Sequence, residues 1–306
     1  MSGHVRRFRA MGTDCQVTVF ADASVADALL DALVERVEIL EACWSRFRPD
    51  SELNRLNARA GSGAVDASDD LVELVATMRA AWSLTDGLCD PTVLASMQAM
   101  GYDADFATVV ARSAIDAVDA STLRKAPGMG EVQVDEAGRT IALPAGVGID
   151  PGAIGKGLAG DIIVDEFMDA GVDGVLVSLG GDVVLAGRPG DDPHWSIAIA
   201  DERQPGEQLR TIDLDPGIDR AAIATSTTLK RRWANGRHHL VDPRTGDLGH
   251  TDLVQATVIA EYGWQAEAGA TAALLLGAAG GSRWLEDNGM RGVLLTADLA
   301  VGVGHG

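Results

Sequence analysis

Lysine is almost missing from this chain. Of its 25 basic residues only three, Lys125, Lys156 and Lys230, are lysines, and 45 acids leave a formal charge of −20. Such an imbalance excludes a surface built for polyanions, because a nucleic acid or an anionic membrane would be repelled over most of it. Any phosphate the protein holds must be gripped locally, by backbone amides, a few bases or a metal. Cysteine is scarce too: Cys15, Cys43 and Cys89 are odd in number, widely separated and without metal-finger spacing, which predicts reduced thiols in a cytoplasm instead of a disulfide scaffold. No window reaches the roughly 18 uninterrupted apolar residues of a membrane-spanning helix. The nearest, "GATAALLLGAAGG", is short and bounded by glycine. Behind the basic residues of "MSGHVRRFRAMGTDCQVTVF" there is none of the apolar stretch, about 7–15 residues, that a secretory signal needs.

What is present is enough for a core: 46% of 306 residues are hydrophobic. With no repeat, linker or low-complexity tract, the chain reads as one domain over residues 1–306. "DCQVTVFA" alternates as a strand does, and "SVADALLDALVERVEILEACWSRF" carries apolar residues at helical spacing behind Ser24 as a cap. Ser68 opens a second helix that Gly87 ends through a left-handed cap. "EVQVDEAGRTIALP" predicts a hairpin turning near Gly138. Further on come a helix at "KGLAGDIIVDEFMDAG", strands at "GVLVSLGG" and "DVVLAG" around a glycine turn, and short strands at "WSIAIAD", "AAIATS", "HHLVD" and "LVQATVIA". The chain returns to helix at "WQAEAGATAALLLG" and ends near "GVLLTAD". Helices and strands mix without strict alternation, so the expected class is α+β, with mixed sheets and packed helices.

Several stretches have the residue types for chemistry. In "GIDPGAIGKGLAGD" glycines precede a helix start, where backbone amides and the helix dipole attract anions, and Lys156 adds a point charge. The same stretch also reads as a glycine turn with a solvated lysine, since it has neither Walker A nor dinucleotide spacing. Asp150 either binds a ligand hydroxyl or caps the helix. "HHLVDPRTG" puts His239 at the start of an apolar strand, where a histidine can move a proton at neutral pH, or where it simply packs or faces solvent. Glu267 and Thr271 lie four residues apart on one helical face. Their oxygens suit a hard cation such as Mg2+, although a threonine bonded back to its own helix is equally ordinary. "SLGGD" is most simply a tight turn, and Phe47 either stacks on an aromatic ligand or packs in the core.

Taken together and in order, seven segments resemble the FAD:protein FMN transferase family, also called ApbE: "MGTDCQVTV", "SRFRPDSELNRLN", "TDGLCDPTV", "GIDPGAIGKGLAGD", "VSLGGDVVLAG", "IATSTTLKRRW" with "HHLVDPRTG", and "AEAGATAALLLG". The resemblance implies an enzyme that holds FAD, splits its pyrophosphate with Mg2+, transfers FMN to a threonine or serine hydroxyl of an acceptor flavoprotein, and releases AMP. It also implies that Lys156 faces the diphosphate, that the backbone carbonyl of Ala153 joins Glu267 and Thr271 around the metal, and that His239 takes the proton of the acceptor hydroxyl. Met11, Phe47, Leu88, Cys89, Asp90, Asp150, Leu240 and Val241 fall where the family lines its FAD site. Glu267 stands where the family usually has aspartate, Cys89 where an aromatic is usual, and Thr227 where glycine is common. Two alternatives keep the fold: hydrolysis of FAD to FMN and AMP, and a flavin carrier without turnover.

Overall fold

A computed structural model describes residues 3–112, 123–215, 217–233, 236–298 and 300–303. In chain order, β1 (His4–Ala10) and β2 (Thr13–Phe20) precede the helix α1 (Ala23–Trp44). Then follow α2 (Glu52–Asn57), β3 (Val65–Asp66), α3 (Asp69–Leu84), α4 (Leu94–Ala99), α5 (Phe106–Ala111), β4 (Gln133–Asp135) and β5 (Thr140–Ala142). The helix α6 (Gly155–Asp169) leads into β6 (Gly174–Leu179), β7 (Asp182–Gly187), β8 (Ser196–Ala200), β9 (Gln208–Asp213) and β10 (Arg220–Thr227). Two short strands, β11 (Arg232–Trp233) and β12 (Arg237–His238), come before β13 (Leu253–Ala260), α7 (Gly263–Asp287), β14 (Arg291–Thr296) and β15 (Ala300–Val303). The class is α+β, with helices packed on sheets, and every strand pairing among the described residues is antiparallel.

The chain divides into two compact units, one of residues 1–39, 156–227 and 252–306, the other of residues 40–155 and 228–251. The first is built on an eight-stranded sheet in the order β1-β2-β6-β7-β10-β13-β14-β15. In its strand β7, "DVVLAG", the residues after Asp182 are an unbroken apolar run because both faces of the strand are covered. Val183 and Leu185 pack with Trp195, Ile197 and Ile199 on one side, while Val184 meets α6 beside Gly160 on the other. The turn between β6 and β7 needs positive φ at two successive residues, supplied by Gly180 (φ 68°) and Gly181 (φ 96°). The helix α7 lies along β10, β13 and β14. Gly277, at φ 77° and ψ 177°, breaks its helical geometry, so the apolar stretch before it and the segment after it are two helical pieces with a kink.

In the second unit, α3 packs against the small sheet β3-β5-β4. Ser68 caps α3 by accepting from the Leu71 N–H at 3.3 Å, and Gly87, at φ 80°, closes it with its N–H on the Trp82 carbonyl at 2.8 Å. A separate core gathers Met97, Met100, Tyr102, Val109, Trp233 and Val241.

Local expectations fail in two places. Ser24 is not the cap of α1, because the helix already begins at Ala23 and its first N–H groups bond the Asp22 carbonyl. "HHLVD" is not a continuous strand: pairing stops at His238, and Val241 keeps one isolated bridge to Leu248. The reason is local competition, since the Leu240 N–H turns to His238 Nδ1 at 3.3 Å instead of a neighbouring strand.

Candidate active site

Lys156 occupies the first turn of α6, and two acids from other elements close on it. Asp182, the first residue of β7, and Glu267, in the second turn of α7, both accept from Nζ; Glu267 Oε1 lies at 2.5 Å. The other oxygen of each acid is also engaged. Glu267 Oε2 accepts from the Gly157 N–H at 2.8 Å, and Asp182 Oδ1 from the Thr225 N–H at 3.0 Å. The acid side chains are 8% and 5% exposed and the Lys156 side chain 24%, so the three form a largely buried ion triad. Burial alone would push the lysine down, but the two carboxylates outweigh it and hold the ammonium above the ordinary lysine value. For Glu267, burial and the nearby charge of Asp182 push the carboxyl upward against the pull of Lys156 and the Gly157 amide.

Small residues make this meeting possible. Gly157 lies so near Gly263 that an added Cβ would fall 2.3 Å from the Gly263 oxygen, and one on Gly160 would fall 2.7 Å from Val184 Cγ2. With no side-chain cap at Tyr262, the start of α7 is capped across space: Asp161 accepts from Gly263 N–H at 2.8 Å and Trp264 N–H at 3.1 Å. Burial raises the Asp161 carboxyl despite those bonds, and Arg220 steadies it at 2.6 Å while also pairing with Asp165. One turn beyond Glu267, the buried Thr271 hydroxyl stands 3.2 Å from that of Ser226.

The expected site residues divide between the units. Lys156, Glu267, Thr271 and Met11 belong to the first, where Met11 (φ 50°) forms the β1–β2 turn with Gly12. The others belong to the second. There Asp150 accepts from the Gly152 N–H at 2.9 Å and pairs with Arg46 Nε at 3.0 Å, both side chains nearly out of solvent. The Arg46 guanidinium lies 4.1 Å from the ring centre of Phe47 and 4.4 Å from that of Tyr102. Leu88, Cys89, Leu240 and Val241 are buried, and Cys89 Sγ is 3.9 Å from the Ala153 carbonyl oxygen. Asp90 caps the turn at Pro91–Val93 by accepting from Thr92 N at 2.9 Å and its hydroxyl at 2.7 Å, while burial raises its carboxyl. His239 is half-buried with its Nδ1 shielded from solvent. Its neighbour His238 is buried, and burial, with the charges of Arg232 and His250, pushes its imidazole down to about 4.

Asp182 is the residue that sequence reasoning missed. "SLGGD" is a tight turn, yet the acid that follows it begins a buried strand, and a charged residue flush against an apolar run was the available signal. Among the described residues no group of three or more His, Cys, Asp or Glu side chains forms a ready metal cage. The oxygen donors of Asp182, Glu267 and Thr271 nonetheless fit a hard cation of the Mg2+ kind, which takes one or two carboxylates and leaves its remaining positions to water and phosphate.

Comparison with known proteins agrees with this architecture. The ApbE family pattern matches residues 11–294. The chain is 27% identical over 281 residues to the FAD:protein FMN transferase of Treponema pallidum, covering 87% of this chain and 77% of that protein. It is 31% identical over 259 residues to the one from Rhodobacter capsulatus, covering 83% of this chain but 48% of that longer protein. The crystal structure of the ApbE protein from Thermotoga maritima superposes with a TM-score of 0.84 at 22% identity, covering 99% of this chain and 97% of that one. The family pattern spans both compact units and the segments that carry Lys156, Asp182 and Glu267, and by that match the chain belongs to the ApbE family.

Proposed function

We propose that this protein transfers FMN from FAD to a threonine or serine hydroxyl of an acceptor flavoprotein, with Mg2+, and releases AMP. The observation that carries the reading is the family match over residues 11–294, with relatives named FAD:protein FMN transferase. In this reaction the acceptor oxygen forms a bond to the FMN phosphorus as the phosphoanhydride bond to AMP breaks. Negative charge builds on the phosphoryl oxygens, and fixed positive groups lower that barrier.

Lys156 supplies such a group: a compact ammonium, held by two acids on a side chain that is 24% exposed, suits a diphosphate oxygen as a point charge. His239 accepts the proton of the acceptor hydroxyl, a role within reach of an imidazole at neutral pH. Glu267 and Thr271, with the Ala153 carbonyl, would hold the metal, which when bound supplies charge neutralisation on the phosphates. Met11, Phe47, Leu88, Cys89, Asp90, Asp150, Leu240 and Val241 would line the FAD site, with Asp150 fixed by Arg46.

The test is mass spectrometry of a purified acceptor after incubation with this protein, FAD and Mg2+. The expected product carries one added FMN on a hydroxyl residue, and EDTA abolishes it. Free FMN and AMP with an unmodified acceptor would assign hydrolysis instead, and unchanged FAD would leave a carrier.

A further inference from the structure

The geometry points to Lys156 as a resident cation that competes with the divalent metal for Asp182 and Glu267. The inference rests on the metal-dependent reading above and concerns what happens before the metal arrives. Both acids are nearly excluded from water, and each spends one oxygen on a backbone N–H, Asp182 on Thr225 and Glu267 on Gly157. The remaining oxygen of each meets the same ammonium. Two buried carboxylates side by side repel each other, and the shared ammonium offsets that repulsion.

Charge then decides the order of events. The triad sums to −1; a divalent cation entering beside the ammonium would make it +1 in a poorly hydrated pocket, which like-charge repulsion opposes. A metal would gain full use of Glu267 only once the Lys156 ammonium has left it, and at 24% exposed the lysine is the least buried of the three side chains. A diphosphate is the natural destination for the displaced ammonium. Metal and diphosphate binding are then coupled through one side chain, and the coupling is reciprocal.

Mn2+ uptake by nucleotide-free protein, followed by electron paramagnetic resonance at pH 8, isolates this step from turnover. Lys156→Met is expected to bind Mn2+ at least tenfold more tightly than wild type, and adding Glu267→Gln to that variant to cancel the gain. Equal Mn2+ affinities in wild type and Lys156→Met would overturn the competition while leaving metal dependence intact. If neither takes up Mn2+, the competition also fails, and the EDTA arm of the acceptor experiment separately reports whether transfer needs a metal. A wild-type measurement guards against a misfolded variant. Because the chain has three lysines, 15N-lysine labelling gives few ammonium resonances, and Lys125→Arg with Lys230→Arg identifies that of Lys156. Saturating Mg2+ should shift that resonance and remove its protection from solvent exchange; Mg2+ binding without any change in it would sink the proposal.

Discussion

Gly157 and Gly263 meet backbone to backbone: a Cβ on the first would lie 2.3 Å from the carbonyl oxygen of the second, and a Cβ on the second 2.4 Å from the oxygen of the first. This contact seats the start of α6 against the start of α7, so that Gly157 N–H and Lys156 Nζ both reach Glu267.

Gly157→Ala should therefore destabilise the protein by about 3 kcal/mol, the upper range for overpacking, because the obstacle is backbone and cannot rotate away. Gly217→Ala, with open space around the new methyl, should stay within about 0.5 kcal/mol. Urea unfolding of both variants checks the contrast, and similar stabilities would refute the contact.

Asp150→Ala should cost more stability than an ordinary surface change. Its partner Arg46 is 6% exposed at the side chain, and removing the acid leaves a buried guanidinium without its counter-charge. Breaking such a pair costs about 3–5 kcal/mol. Calorimetric melting measures that loss, and FAD titration of the folded fraction should show weaker binding.

Glu267→Ala and Thr271→Ala should lower the transfer rate at least about tenfold, the lower end even for groups that only support a metal ligand. FAD affinity should change less. Single-turnover kinetics alongside FAD titration separates the two effects, and near-wild-type rates in both variants would remove these residues from the metal site.

His238 should shape the acid limb of stability. Its imidazole is held at about 4, below the ordinary 6.5, so the unfolded chain binds more protons between those values. The contribution is fully present above pH 6.5 and is lost as pH falls toward 4. Melting temperatures of wild type should fall across that window, and His238→Gln should fall less steeply.

Cys43 should resist thiol reagents in the native state. Burial, helped by the neighbouring Glu52 carboxylate and opposed by the Ser68 hydrogen bond, raises the thiol to about 12, leaving almost no thiolate at pH 8. Labelling with a thiol-specific reagent should leave Cys43 unmodified in the folded protein and modify it in denaturant.

Elements with a clean local signal were legible from the residues. "LVQATVIA" is β13 from end to end, and Ser68 and Gly87 bound α3 as their side chain and φ require. Partial failures have local causes as well. "HHLVD" carries a strand composition, but the side chain of His238 takes the amide that pairing would need. The strand β1, "HVRRFRA", has too few apolar positions to stand out, and it forms because β2 pairs with it along its length.

For the site, residue order and type identified Lys156, Glu267 and Thr271 as candidates, because motif spacing along a chain survives without coordinates. Asp182 was beyond that reach. It pairs with a lysine 26 positions away, which itself bonds a glutamate 111 positions on, and no local propensity encodes such distances. The residues alone determined where helices and strands arise and which side chains have suitable chemistry, since both depend on periodicity, caps and functional groups within a few positions. Tertiary packing decided which acids share one ammonium, because a buried charge takes its partner from whatever elements the sheet and the glycine contact bring beside it.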